Sequence, residues 1–192
     1  DLTVTGVQTC ALPIYRWFNR RPSVSWKKFS NTLALPSDRP LFLYVCSSPF
    51  IAPKEVDFVQ SWIETRRSSP YQRLRTAGLL IRPHPQNAEQ WQDESLFAGV
   101  ENVVIWPRRG ANPVATEARA HYYDSMYYSA AVVGVNTSAM IESGIIGRPV
   151  YTVLTDAFSG TQEGTLHFQH LKSVNGGLLY VANSLNEHAE QL

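Results

Sequence analysis

Short apolar runs that alternate with segments of helical periodicity constrain the fold of this chain most strongly, and they begin after Pro40. The runs show little polar alternation, which predicts strands that are covered on both faces. Strands that alternate with helices predict an α/β fold, a doubly wound three-layer domain with a mostly parallel sheet. The predicted strands are 41–46, 78–85 (which runs into a turn), 102–106, 130–135, 149–154 and 178–181.

The helical pattern is clearest between the first two predicted strands. Apolar residues recur at helical spacing within 52–67, Pro53 stands where a helix can begin, and a Ser-Ser-Pro sequence follows where it must end. Similar patterns predict helices at 117–129 and 138–146.

Charge and cysteine content exclude several classes of protein. The 192 residues include 17 basic and 16 acidic side chains, so no global field attracts nucleic acid and we predict no nucleic-acid partner. Two cysteines cannot build a disulfide framework or a cysteine-rich zinc site. Because no apolar run reaches the ~20 residues of a membrane span, we expect a soluble protein. Solubility together with the free Cys46 leads us to expect a cytoplasmic location.

The ends of the sequence need separate treatment. Val4 to Ile14 reads VTGVQTCALPI, which resembles a translated sequencing adapter, so we expect residues 1–14 to be non-native and Cys10 to carry no meaning. Residues 15–39 show no sustained period and are interpreted as an irregular linker or a remnant of an upstream domain. Their excess of Arg and Lys could serve an anionic ligand or a membrane surface, but a solvated face is the preferred interpretation, with peripheral contact at an inner membrane face left open. Residues 40–192 are the predicted domain, which we expect to be truncated at its C-terminus.

Polar residues directly after the apolar runs are the candidate site residues, because ligands of open parallel sheets bind beyond the carboxyl ends of the strands. The most informative is the turn Asn136-Thr137-Ser138, which leads into a short predicted helix. Free N–H groups at a helix start and small hydroxyl side chains suit a phosphate. The alternative for Thr137 or Ser138 is an ordinary N-cap, and the two roles are compatible. Three further turns of this kind are Ser47-Ser48-Pro49, Arg82-Pro83-His84-Pro85 and Thr161-Gln162-Glu163-Gly164-Thr165.

Glu142 is a candidate to bind a ribose, and His84 is a candidate to bind a phosphate. Glu142 lies four residues after Ser138 on the same helical face, and a capping box does not explain it because the spacing is wrong. A carboxylate there can accept hydrogen bonds from two ribose hydroxyls; the alternative is a favourable charge near a helix start. His84 is fixed between two prolines and is a candidate to donate a hydrogen bond to a phosphate or to carry a proton. The alternative is an ordinary packed or solvent-exposed histidine.

His167 and His170 could share a helical face as metal ligands do, but no third ligand has a suitable spacing. We therefore predict no metal and no cofactor, and we interpret the pair as donor contacts or packing residues. The sequence contains no Walker loop, no G-x-G-x-x-G fingerprint and no G-x-S-x-G elbow. Their absence disfavours ATPases, ordinary NAD-dependent dehydrogenases and α/β-hydrolases.

The segment DSMYYSAAVVGVNTSAMIESGIIGRPVYTV, together with RPHP, resembles the nucleotide-binding half of GT-B glycosyltransferases and their relatives. This segment also resembles the corresponding part of the non-hydrolysing sugar-nucleotide 2-epimerases and of the CDP-glycerol glycerophosphotransferases. The resemblance covers residues 40–192. It implies a Rossmann-like domain, one half of a GT-B fold, that binds a nucleotide-sugar donor without a metal, while a missing N-terminal half binds the acceptor.

The resemblance also implies a role for each candidate residue. It places Thr137 and Ser138 on the donor diphosphate with Asn136 beside them, Glu142 on the ribose, and His84 as the catalytic residue next to the phosphates or the reacting sugar. The loop that would close over the donor consists of Thr161, Gln162, Glu163 and Gly164.

Three hypotheses remain open: a glycosyltransferase, one of two related activities, and a non-catalytic binding domain. The 2-epimerases have Asp-Ser-Gly-Gly where this chain has Asn136-Thr137-Ser138-Ala139, and the glycerophosphotransferases have an acid at the position of Asn136. A glycosyltransferase of unassigned acceptor is therefore favoured, with those two activities as alternatives. A non-catalytic binding domain is the third hypothesis, because each candidate residue also has an ordinary structural explanation. Without an acceptor half, we expect little or no activity from the isolated chain.

Overall fold

The computed structural model describes residues 17–192, so the expected adapter-derived segment Val4 to Ile14 lies outside the described residues. Six strands form one parallel sheet in the order β3-β2-β1-β4-β5-β6. Each predicted strand overlaps an observed one, which confirms the α/β fold with a parallel sheet. The strands are β1 (Leu41–Val45), β2 (Gly78–Arg82), β3 (Val103–Ile105), β4 (Ala131–Val133), β5 (Val150–Val153) and β6 (Leu179–Ala182).

Helices connect the strands and cover the sheet. They are α1 (Trp26–Thr32), α2 (Glu55–Arg67), α3 (Gln72–Thr76), α4 (Thr116–Tyr127), α5 (Ser138–Ile145), α6 (Ser159–Gln162), α7 (Leu166–Ser173) and α8 (Leu185–Gln191). The helix predicted from residue 52 begins three residues later, because the chain still turns at Pro53. Within residues 17–192, no helix has both the length and the apolar character that a bilayer crossing requires.

The central strand β1 shows why both faces of the sheet are apolar. Phe42 and Tyr44 belong to the core on one face, and Leu41, Leu43 and Val45 belong to the core on the other. Helices α2, α3 and α8 cover the first face, and α1, α4 and α5 cover the second. All five residues of β1 are buried, so the strand could not carry a polar alternation.

The segment 15–39 is not irregular throughout, which corrects that interpretation. It contains α1, and Phe29 and Leu33 are buried against the second face of the sheet. The Ser23 hydroxyl donates a hydrogen bond to the Asp124 carboxylate of α4. A seven-residue helix has too little intrinsic stability to form alone, so tertiary packing decides its presence. The boundary between this segment and the domain stays a prediction.

His188 is buried in the core on the first face of the sheet. Its ring centroid lies 6.1 Å from that of Trp62 and 5.8 Å from that of Tyr151. Neither ring nitrogen has a partner in the described part of the chain. Burial lowers the pKa of His188 to about 4, because removal from solvent disfavours the charged form of the ring.

Replacing His188 by phenylalanine should remove a pH dependence of stability. The unfolded chain binds a proton at this side chain below pH 6.5, whereas the folded chain does so only near pH 4, so folding stability falls as the pH drops through this window. Relative to His188→Phe, the natural chain should lose about 3 kcal/mol between pH 7 and pH 4, measured by urea unfolding. His170→Phe, at an exposed position, should follow the natural chain. A difference that is constant across this range would contradict the assignment.

Candidate functional site

The strand order reverses between β1 and β4 in the middle of the sheet. The chain passes from β1 to β2 on one side and from β4 to β5 on the other. In open α/β sheets this reversal leaves a crevice beyond the carboxyl ends of the strands, where ligands bind. Gly134 permits the close approach of the two chains, since a Cβ atom there would lie 2.9 Å from the carbonyl oxygen of Val45.

A pocket of about 190 Å³ lies at this reversal. Its walls come from residues that follow β1, β2, β3 and β4, and from α4 and α5. It brings together four of the candidates from the sequence, which are His84, Thr137, Ser138 and Glu142. Arg82, the last residue of β2, also lines it.

A larger cavity of about 690 Å³ opens beside the carboxyl ends of β5 and β6. Its walls carry charges of both signs, on Lys54, Asp57 and Asp156, and none of the candidate residues lines it. We take the smaller pocket as the candidate site because it lies at the strand reversal and collects polar groups of matching character.

The start of α5 presents backbone donors at the pocket. Thr137 occupies the N-cap with extended backbone, but its hydroxyl makes no capping hydrogen bond. The N–H groups of Ser138 and Ala139 have no acceptor within the helix, and the helix dipole adds a partial positive charge. Both hydroxyls at this turn are therefore available to a ligand rather than used by the cap.

Glu142 lies on the pocket wall and already accepts hydrogen bonds from two protein groups. The Tyr122 hydroxyl donates to Oε2, and the side chain of Trp17 is a second donor. Burial raises the pKa of the Glu142 carboxyl, while these two donors lower it. A carboxylate has about four acceptor positions, so this arrangement orients the group and leaves it able to accept ribose hydroxyls.

Arg82 is a buried cation to which the sequence analysis gave no role. Only 6% of its surface is exposed, and its guanidinium carbon lies 5.2 Å and 5.4 Å from the ring centroids of Trp106 and Tyr122. Nη1 donates to Ser125 Oγ at 2.9 Å. No carboxylate in the described chain forms a salt bridge with Arg82. Burial lowers its pKa to about 10, so Arg82 is positively charged at neutral pH and is not in direct contact with any carboxylate of the described residues.

His84 is half-buried and has a defined tautomer. Its Nδ1 accepts a hydrogen bond from the Gln86 N–H at 3.2 Å, so the proton of the neutral ring sits on Nε2. Burial lowers the pKa of His84. The flanking prolines and this bond fix a ring that can donate from Nε2.

Asn136 and Gln162 lie outside the pocket and face the interior. Asn136 is 2% exposed, and its Nδ2 donates to the carbonyl oxygen of Gln162 at 3.0 Å. Gln162 is fully buried, and its amide nitrogen lies within hydrogen-bond distance of the carbonyl oxygens of Val135 and Val153 and of the Thr152 hydroxyl, among which its two hydrogens are shared. The Gln162 side chain therefore holds the loop after β5 against the sheet and is not exposed for contact with a nucleotide sugar.

The other candidates of this loop are also held by protein contacts. The Thr161 hydroxyl donates to the carbonyl oxygen of Ile51 at 2.7 Å, and Glu163 forms a salt bridge with Lys172 at 2.7 Å. Gly164 lies so close to the preceding helical turn that a Cβ atom would be 2.4 Å from a carbonyl oxygen. None of the three lines the pocket, so their closure over a donor stays a prediction.

The Glu55 side chain is a buried carboxyl at the end of β1, and its role could not be foreseen from the sequence pattern. Glu55 accepts hydrogen bonds from the Tyr44 hydroxyl at 3.0 Å and from the Ser47 N–H at 2.8 Å. Ser47 Oγ in turn accepts from the N–H of Asn136 at 3.3 Å. Burial raises the pKa of Glu55 to about 7. The network connects the ends of β1 and β4 to the start of α2.

The described residues contain no group of three or more His, Cys, Asp or Glu side chains placed to hold a metal ion. His167 does not pair with His170; its Nε2 lies 2.7 Å from Oδ1 of Asn136.

Solved structures with the same architecture include two enzymes of low sequence identity. The wall teichoic acid polymerase TagF matches with a TM-score of 0.54 and 14% identity, over 86% of this chain and 37% of its own. The UDP-GlcNAc 2-epimerase from Methanocaldococcus jannaschii matches with a TM-score of 0.51 and 12% identity, over 87% of this chain and 42% of its own. Both are GT-B proteins. This chain has the Rossmann-like fold of a GT-B domain.

The GT-B fold confirms the architecture that the sequence resemblance implied. At such low identity the likeness shows the fold alone, and it does not select an activity. The chain spans about two fifths of the length of the structures that it matches. No protein-family model matches the sequence, and a search of curated proteins finds no relative.

Replacing Glu55 by glutamine should stabilise the chain at high pH. The folded state raises the pKa of this carboxyl from 4.5 to about 7, so the folded chain binds more protons than the unfolded one and loses stability as the pH rises through that window. Between pH 4.5 and pH 8 the natural chain should lose about 3 kcal/mol relative to Glu55→Gln in urea unfolding. Glu64→Gln, exposed on the same helix, is the control. An equal pH profile for Glu55→Gln and the natural chain would contradict this account.

Proposed function

We propose that this chain is the nucleotide-sugar-binding half of a GT-B glycosyltransferase, and that the donor diphosphate binds at the start of α5. The observation that carries the proposal is the buried charge of Arg82, which lines the pocket and has no salt-bridge partner among the described residues. A buried cation without an ion partner costs stability unless an anion completes the site. Thr137, Ser138 and His84 add neutral donors around the same space.

The donor groups match a diphosphate better than a single carboxylate. Backbone N–H groups at α5 and two hydroxyls lie beyond the end of β4, and the guanidinium of Arg82 and the Nε2 of His84 lie at the end of β2, so the donors approach from two strand ends. Several phosphate oxygens can bind such a dispersed set at once. Glu142 adds an acceptor four residues from Ser138, which suits ribose hydroxyls and would be unfavourable beside a phosphate.

The same groups suggest how the domain would assist transfer. When a sugar leaves, negative charge develops on the diphosphate oxygen that it leaves behind. Donors that are already oriented stabilise this charge in the transition state without reorganisation. Arg82, clamped between two rings, and His84, fixed by Gln86, are oriented before any ligand arrives. In this proposal His84 acts as the catalytic donor next to the phosphates.

The acceptor-binding half would belong to a part of the protein other than this domain, so we expect this chain to bind a donor without turning it over. We place the reaction in the cytoplasm, where sugar nucleotides are made. The exposed basic side chains of α1 and its flanks are compatible with contact at an inner membrane face.

Arg82→Met should weaken nucleoside diphosphate binding by roughly 10- to 100-fold, because a charge-assisted hydrogen bond is lost. Calorimetric titration of the 192-residue chain with UDP, CDP and GDP should identify one tight ligand. Arg82→Lys keeps the charge and should lose less affinity. Arg73→Met is the control, since that exposed arginine lies on α3, which leads into the opposite edge of the sheet.

The outcomes separate the remaining functions. If none of the three diphosphates binds the natural chain, the proposal fails. If one of them binds, and Glu142→Ala also lowers the affinity for that nucleoside diphosphate, the nucleotide assignment is supported. Conversion of the bound nucleotide sugar without an acceptor, followed by NMR of the sugar protons, would instead show a 2-epimerase. Unchanged activity of the complete protein carrying Ser138→Ala and His84→Ala would show a non-catalytic domain.

A further inference from the structure

The amide of Asn136 has one possible orientation. Its Nδ2 lies 3.0 Å from the carbonyl oxygen of Gln162 and 2.8 Å from the hydroxyl of Thr165. A carbonyl oxygen only accepts hydrogen bonds, so the nitrogen must face it. The oxygen Oδ1 therefore faces His167, whose Nε2 lies at 2.7 Å.

This orientation fixes the tautomer of His167. Because the Asn136 Oδ1 is an acceptor, Nε2 of His167 must carry a hydrogen. In the neutral ring, Nδ1 is then a bare acceptor. The His167 side chain is exposed, and Nδ1 has no hydrogen-bond partner within residues 17–192.

His167 does not itself line the pocket, but its partner Asn136 links it to a residue that does. Its partner Asn136 directly precedes Thr137, the N-cap of α5. His167 lies on α7, which follows β5, the neighbour of β4 on one side. His84 follows β2, on the other side of β4. The two imidazoles therefore approach the turn after β4 from opposite directions along the sheet edge.

The two rings offer opposite chemistry. His84 presents a donor at Nε2, which suits a phosphate oxygen, whereas His167 presents an acceptor at Nδ1, which suits a hydroxyl group. A nucleoside diphosphate has many oxygens near the diphosphate but no hydroxyl beyond it. A hexose or polyol attached to the terminal phosphate supplies that hydroxyl.

We propose that His167, held by Asn136, accepts a hydrogen bond at Nδ1 from a hydroxyl of the sugar or polyol that the nucleoside diphosphate carries. The inference rests on the proposed function and adds the residue that distinguishes the loaded donor from the free diphosphate. Asn136 is a positioning residue in this arrangement, since it orients the ring and does not contact the ligand.

The test compares loaded and free nucleotides on the natural chain and on His167→Gln. A glutamine can place its Nε2 where the histidine Nε2 lies and keep the bond to Asn136, but it offers no acceptor at the Nδ1 position. The probes are UDP with UDP-N-acetylglucosamine, CDP with CDP-glycerol, and GDP with GDP-mannose, titrated calorimetrically. We expect His167→Gln to weaken the loaded nucleotide roughly 3- to 10-fold and to leave the parent diphosphate unchanged.

Controls and outcomes keep this inference separate from the proposed function. His170→Gln, exposed on the same helix, should change neither affinity. Long-range ¹H–¹⁵N NMR should show the Nε2–H tautomer at His167, and an Nδ1–H tautomer would overturn the inference. If the natural chain binds no diphosphate, the proposed function fails. If it binds, but His167→Gln weakens both members of a pair equally or neither, the role of His167 alone is refuted.

Discussion

The pairing of β1 with β4 in the middle of the sheet is the constraint on which the rest of the structure depends. It makes the connections leave in opposite directions and so opens the crevice at the carboxyl edge. It also requires Gly134, because any side chain there would collide with β1. The start of α5 and the ends of β1 and β2 meet only because this pairing brings them together.

Arg82 and Glu55 are buried ionisable groups at that edge, and neither has an ion partner in the part of the chain that the structure describes. Arg82 is held by aromatic rings and one hydroxyl, and Glu55 by a tyrosine hydroxyl and a backbone N–H. The two differ in consequence. Arg82 lines the pocket, where an anionic ligand could neutralise its charge. Glu55 does not line the pocket, and burial raises its pKa, which favours the neutral carboxylic acid. Such groups lower stability, and they are concentrated where a site needs fixed polarity.

The sequence predicted the six strands, the sheet type and four pocket residues because these depend on local pattern and on a general rule for parallel sheets. It failed where burial decides the role. Gln162 looked like a loop residue and is a core residue, while Arg82 looked like a strand end and is a clamped cation. Helix α1 was missed because its seven residues are stabilised by the sheet and not by their own periodicity.

By itself, the sequence determined which segments are apolar enough to become buried strands and which short polar turns follow them. It therefore determined the fold and the edge of the sheet at which the candidate residues lie. Only the tertiary structure decided which of those turns meet, which side chains face the pocket, and which nitrogen of each imidazole carries the proton. The physical reason is range: periodicity and turn chemistry act over a few residues, whereas desolvation and hydrogen-bond direction depend on atoms brought together from distant parts of the chain.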